Sequence, residues 1–327
     1  METVTLARYA MATRFEIVLQ GEDESALRAA GEEALDEIEK LDAQLSFYNP
    51  ASQISRINAL AAREPVKVEP QLFELLRRAR DLSAALDGAF DITIAPLMKC
   101  WGLAGGEGRL PSEEELAAAR ERVGMHHVIL DQEKDTVRFE REGMALDLGS
   151  IGKGYALESA VELLRDLEIE SAFIHGGTST ACAIGRPVDS EAWTVAIEHP
   201  RYSVLAACDP NGLSEADRAR ATLTTVALRD EAMSVSAIWG KAFEIDGRTY
   251  GHVMDPRRGE PTEGAVLAAV VTPSATDSDA LATGLLTLGA EGLPLLDKIA
   301  PKARALAAER GETTGDYEFH VRGLELG

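Results

Sequence analysis

Apolar residues recur along this chain with two periods, and the periods predict its elements. Over residues 3–19, Phe15, Ile17 and Leu19 alternate with polar neighbours, the spacing of a half-buried strand. Residues 22–45 change to helical spacing, with Leu27, Ala30, Ala34, Ile38 and Leu41 at three- and four-residue steps. A loop at 46–52 is broken by Asn49-Pro50. A second helix over 70–86 stops at Asp87-Gly88. Residues 90–101 read as strand or turn running into a short helix around Pro96. Gly105, Gly106 and Gly108 mark a loop, and Ser112 with Glu115 forms a capping box for a helix over 113–123.

Strand-like runs follow at 127–131, 136–140 and 144–148, the last leading through a glycine turn into a helix over 155–167. Further strands are predicted at 172–175 and 193–197, then a surface excursion over 200–221 with Asp209-Pro210-Asn211-Gly212 at its tip. Strands resume at 222–228, 232–236, 241–245, 249–254 and 266–271, with Asp246-Gly247 as a hairpin turn. Helices over 277–289 and 293–299 precede a last strand at 303–308. Neither an internal repeat nor a low-complexity linker divides the chain. Strands and helices mix without strict alternation, which predicts an α+β fold with mixed or antiparallel sheets packed on helices. One domain spanning 1–327 is expected, in which two lobes could flank a central cleft.

Composition narrows the partners. The 327 residues carry 55 acids against 33 bases, a net charge of −22. Nucleic acid and anionic membranes select basic faces, so both are unfavoured. An anionic ligand would need a local cation, a helix terminus or a metal. Cys100, Cys182 and Cys208 have no paired spacing and read as reduced thiols. No uncharged run approaches the roughly 20 residues of a membrane span. Charges interrupt the first apolar stretch, so as written the chain reads as cytoplasmic.

Four segments carry candidate chemistry. In Met144–Tyr155 an apolar run with Asp147 meets Gly149, Gly152 and Gly154 around Lys153, just where a helix begins. Unpaired N–H groups and the dipole at a helix start favour a phosphate there. The spacing is neither a Walker loop nor a dinucleotide fingerprint, and a plain strand-to-helix corner with a surface lysine remains the alternative. His252 and Asp255 lie three apart at a turn: histidine suits proton transfer, and the alternative is a strand-end histidine hydrogen-bonded to the turn, with Asp255-Pro256 as its punctuation. Asp279 and Thr283, at i and i+4, place two oxygens on one helix face, as a hard cation such as Mg²⁺ requires. Helix capping by Asp277 or Ser278 is the alternative there, and it leaves Thr283 unexplained. Trp101 beside Gly102 could flank a planar ligand or pack in the core. The remaining histidines, His175 among them, lack cysteine or acid partners at ligand spacing, which argues against zinc.

Met11-Ala12-Thr13, the 46–58 stretch, the 90–102 stretch, Asp147–Tyr155, Gly176-Gly177, His252–Gly259 and Asp279–Thr283, in that order, resemble the ApbE family of flavin transferases. The resemblance covers roughly residues 8–310. It implies an ApbE-like α+β fold with FAD in a central cleft and Mg²⁺ at its pyrophosphate. Met11, Tyr48, Trp101, Gly102, Leu103, Asp147, Lys153 and Val253 would then contact FAD. Ser150, through its carbonyl, would join Asp279 and Thr283 around the metal. His252 or Asp255 would be catalytic. The implied activity is transfer of FMN from FAD to a threonine or serine of an acceptor flavoprotein, with release of AMP. The chain departs from the family at Thr178, usually aspartate, at Ala237, usually glycine, and at Lys241, commonly arginine. Those departures keep open an FAD pyrophosphatase or a non-catalytic FAD-binding protein. The family is often exported as a lipoprotein, and no lipobox cysteine is present here.

Overall fold

The computed structural model describes residues 1–203, 221–239, 242–245, 248–313 and 315–326. Lys241, Cys208, the Asp246-Gly247 turn and the body of the predicted excursion lie outside the described residues.

Among the described residues, eight strands form one antiparallel sheet whose spatial order is the chain order. They are β1 (Glu2–Ala10), β2 (Thr13–Gly21), β3 (Ala172–Gly176), β4 (Thr180–Ile184), β5 (Ala232–Ala237), β6 (Leu267–Thr272), β7 (Arg304–Arg310) and β8 (Tyr317–Arg322). Helices whose bounds are described include α1 (Glu24–Leu45), α2 (Gln53–Leu60), α3 (Pro70–Ala85), α4 (Ala95–Cys100), α5 (Glu113–Arg120), α6 (Gly152–Asp166), α7 (Ala275–Leu288) and α8 (Leu293–Ile299). The α+β class predicted from patterning is the observed one.

Alternation along the central strands shows how the layers form. On β6, Ala268 and Val270 enter the core shared with α1, α6 and α7, while Leu267, Ala269 and Val271 enter a second core on the opposite face. The hairpin of Trp193–Glu198 and Thr222–Leu228 covers that second face through Ile197, Val226 and Leu228. Covered on both sides, such strands lack polar positions, so their period is hidden. All five residues of β4 are buried, and no strand is predicted there.

Other differences have local causes. The predicted strand over 3–19 is a hairpin, β1 and β2, turning at Met11-Ala12. Both turn residues have positive φ, 48° and 58°, the conformation a two-residue hairpin turn demands. Nothing in their residue types announces it. The 144–148 stretch forms no regular strand and joins no sheet. Asn58, on the unpredicted helix α2, takes the place of a neighbouring strand: its side-chain NH₂ donates to Leu146 O at 2.9 Å and its Oδ1 accepts from Leu146 N at 2.7 Å. Helix α6 starts at Gly152, before the predicted 155, and β8 follows the strand predicted to be last. Among the described residues, no helix is long and apolar enough to cross a membrane.

Candidate active site

The glycine turn is built from its own short side chains. Asp147 N donates to Ile92 O at 2.7 Å, which anchors the approach. Gly149 N donates to Asp147 Oδ1 at 2.8 Å, folding the chain back into α6. Ile151, at the helix cap, supplies no side-chain acceptor. One comes from elsewhere: Gly154 N donates to Asp279 Oδ2 at 2.9 Å. Lys153 Nζ stands 3.4 Å from Gly149 O, so the ammonium is folded over the turn.

Asp279 arrives on α7. Ser274, not Asp277 or Ser278, caps that helix, its hydroxyl accepting from Asp277 N at 3.1 Å. Asp277 instead forms a bidentate pair with Arg78 of α3, and Ser278 bonds Ser234 on β5 at 2.8 Å. Asp279 is buried. One turn on, Thr283 Oγ1 lies 3.3 Å from both Asp279 O and Ser236 Oγ.

These segments meet in a cleft of about 1250 Å³. The glycine turn contributes Asp147, Ser150 and Lys153, α7 contributes Asp279 and Thr283, and the turn region contributes His252 and Val253. Met11, Tyr48 and Leu103 complete the predicted part of the wall. Tyr48 is exposed on this wall, and partial desolvation first, then the Asp147 carboxylate, pushes its phenol above the ordinary pKa.

Trp101, Gly102 and Asp255 are not among the residues lining this cleft. Trp101 is a packing residue: its indole N–H donates to Gly259 O at 2.8 Å and its ring lies 5.7 Å from that of Tyr250. Gly102, at φ 69°, lets the chain leave α4. Asp255 is buried and held by Arg257 Nε and Nη2 at 2.9 and 2.8 Å.

Sequence reasoning missed part of the wall. His175 lines the cleft, with Nδ1 3.0 Å from Gly177 O and Nε2 3.9 Å from Glu16 Oε1. Glu16 is its partner across the β2–β3 ladder, a pairing no local spacing reveals. Thr178 and Ala237, two of the family departures, also line it.

Among the described residues on the wall, Lys153 is the only lysine or arginine, against five carboxylates: Asp91, Glu107, Asp147, Glu198 and Asp279. A diphosphate entering such a cleft needs a further cation. Asp279, the Thr283 hydroxyl and the Ser150 carbonyl, all on residues of this wall, are oxygens that could hold a hard cation. Among the described residues no group of three or more His, Cys, Asp or Glu could hold a metal ion.

The fold is α+β, and its cleft gathers candidate residues from distant segments. The model of the ApbE family matches residues 11–307, and the chain belongs to that family. An FAD:protein FMN transferase of Vibrio cholerae serotype O1 is 30% identical over 262 residues, covering 78% of this chain and 72% of that protein. The crystal structure of the ApbE protein of Thermotoga maritima superposes with a TM-score of 0.83 at 26% identity, covering 97% of this chain and 96% of that one. The apo flavinyl transferase ApbE of Pseudomonas stutzeri gives 0.82 at 28% identity, covering 98% and 95%.

Proposed function

We propose that this enzyme transfers the FMN half of FAD to a threonine or serine hydroxyl of an acceptor protein, releasing AMP, with Mg²⁺ as cofactor. The observation that carries the reading is the meeting of Lys153, His252, Asp279 and Thr283 on one cleft wall, though they come from three distant segments. Membership of the ApbE family and the names of its relatives supply the donor and the acceptor class.

In this reading the acceptor oxygen attacks the FMN phosphorus. The bond from that phosphorus to the bridging oxygen breaks, and AMP leaves with the oxygen and its electron pair. His252 takes the hydroxyl proton. Asp255 is the weaker candidate, because Arg257 occupies both its oxygens away from the cleft. Lys153 balances charge on the diphosphate, and Met11, Tyr48, Leu103, Asp147 and Val253 hold the nucleotide in place. Asp279, Thr283 and the Ser150 carbonyl would hold Mg²⁺, which supplies charge neutralisation on the diphosphate and the departing phosphate. Trp101 and Gly102 support the wall from behind.

Incubation with FAD, Mg²⁺ and a peptide containing Asp-Gly-Xaa-Thr-Gly-Ala-Thr tests this directly. Mass spectrometry should find FMN covalently on the peptide threonine and AMP in solution. Free FMN and AMP with no peptide adduct would identify a pyrophosphatase. FAD binding with neither product would reduce the protein to a flavin-binding module.

A further inference from the structure

We infer that Glu158 is a positioning residue that sets the place of the Asp279 carboxylate. Its consequence for metal binding rests on the function proposed above.

The two helices at the site cap each other. Asp279 of α7 accepts from Gly154 N in the first turn of α6. Glu158, one turn further along α6, accepts from Thr276 N in the first turn of α7 at 2.8 Å. The same Glu158 oxygen accepts from the Ser274 hydroxyl, also at 2.8 Å. Each helix thus places a carboxylate at the positive end of the other, where unpaired N–H groups and the dipole both favour it. Ser274 is also the helix's own cap, so Glu158 orients the group that starts α7.

Asp279 follows Thr276 by three residues, less than one turn. A shift of the first turn of α7 is therefore passed on to Asp279 almost undiminished. Gly154, with no side chain, permits the contact that makes the arrangement so tight, since a Cβ there would stand 2.8 Å from Asp279 Cβ. Arg78 grips the same turn from α3, but through Asp277 and not through a backbone group. It supports the turn without fixing the direction of its N–H groups.

The test compares Glu158→Ala, Glu158→Gln and Arg78→Met with the parent enzyme. Amide hydrogen exchange at Gly154, read by mass spectrometry, reports the Asp279 contact without any metal. Mn²⁺ binding in the presence of FAD, read by electron paramagnetic resonance, reports the donor set. Glu158→Ala should speed Gly154 exchange about tenfold and weaken Mn²⁺ binding about 10–100-fold, the usual cost of losing an outer-shell partner. Glu158→Gln keeps an acceptor oxygen and should restore both. Arg78→Met should lower the melting temperature yet leave Gly154 exchange near the parent value. Where Glu158→Ala does not fold, Glu158→Asp, one methylene too short to reach both donors, replaces it with the same expected direction. Unchanged Gly154 exchange, or an equal change in Arg78→Met, overturns the inference. Faster exchange with unaltered Mn²⁺ affinity supports it and counts instead against Asp279 as a metal ligand.

Discussion

Gly154 and Asp279 are 125 positions apart, and a 2.9 Å hydrogen bond from the glycine N–H to the carboxylate joins them. The bond ties the glycine turn to the Asp279–Thr283 face of α7. It turns two unrelated stretches of sequence into one wall, which Lys153 also lines.

Gly154→Ala tests that junction. A Cβ at this position would lie 2.2 Å from the Ala275 carbonyl oxygen, a backbone atom that cannot swing aside. The helices must separate, which should cost about 1–3 kcal/mol of stability in urea unfolding. FAD affinity, followed by flavin fluorescence, should fall with it. Retained stability and affinity would show that the two helices are not locked.

Asn58→Leu addresses the approach to the turn. The change removes both the donor and the acceptor that Leu146 uses, leaving a buried N–H and C=O without partners. A loss of about 2 kcal/mol is expected, together with weaker FAD binding, because Asp147 is the next residue. Crystallography of the variant should show 144–148 displaced from α2.

Asn58 also shows which parts of the site were legible in the sequence. Lys153, Asp279 and Thr283 were visible because their chemistry is local: a lysine among glycines, two oxygens one helical turn apart. The strand expected at 144–148 rests on a short apolar run, yet its pairing partner is the Asn58 side chain, which patterning does not encode. Met11 and Ala12 carry positive φ without glycine or asparagine to signal a turn. Helix α2 spans eight residues with only Ile54 and Ile57 buried, too little for a periodic signal. Trp101 was ambiguous, since aromatic rings serve cores and ligands alike, and only Gly259 O and the Tyr250 ring resolve its role. His175 and Glu158 act through partners distant in the chain, and nothing beside them in sequence marks the fact.

The loop carrying Leu103 and Glu107 should respond to acid. Arg109 closes it by donating its N–H to Trp101 O at 2.8 Å and pairing with Glu115 at 2.8 Å. The Arg109 guanidinium, with help from Ser112 N–H, pulls the Glu115 carboxyl down to about 2. A carboxyl whose folded pKa lies below its unfolded one stabilises the fold fully above the unfolded pKa. That contribution is lost as pH falls from 4.5 through about 2. Glu115→Gln keeps the capping box but loses the ion pair. Its unfolding midpoint should sit below that of the parent at neutral pH, and the gap should close by pH 2. Because both side chains are exposed, added salt should shrink the gap as well.

Lys153→Met isolates the cation of the glycine turn. With five carboxylates on the described wall, loss of the single lysine leaves the diphosphate dependent on the metal alone. Transfer should slow about 10²–10³-fold, the scale for removing one group that stabilises transition-state charge. FAD affinity should become more sensitive to EDTA than in the parent enzyme. Stability should change little, since the ammonium makes a long, exposed 3.4 Å bond to Gly149 O. Normal turnover in this variant would return the turn to a structural corner.

His252 and Asp255 can be separated by what each loses. His252 is on the cleft wall, whereas Asp255 is buried in a closed ion pair with Arg257. His252→Ala should lower kcat about 10²–10⁴-fold, the range for removing a general base, with FAD affinity and melting temperature near those of the parent. Asp255→Asn should do the reverse. It strands the Arg257 charge and weakens the 256–259 turn, costing about 1–2 kcal/mol of stability, while turnover per folded enzyme stays within a fewfold of the parent. If Asp255→Asn instead abolishes kcat without lowering stability, the carboxylate must reach the acceptor in the loaded enzyme, and the assignment of the base passes from His252 to Asp255.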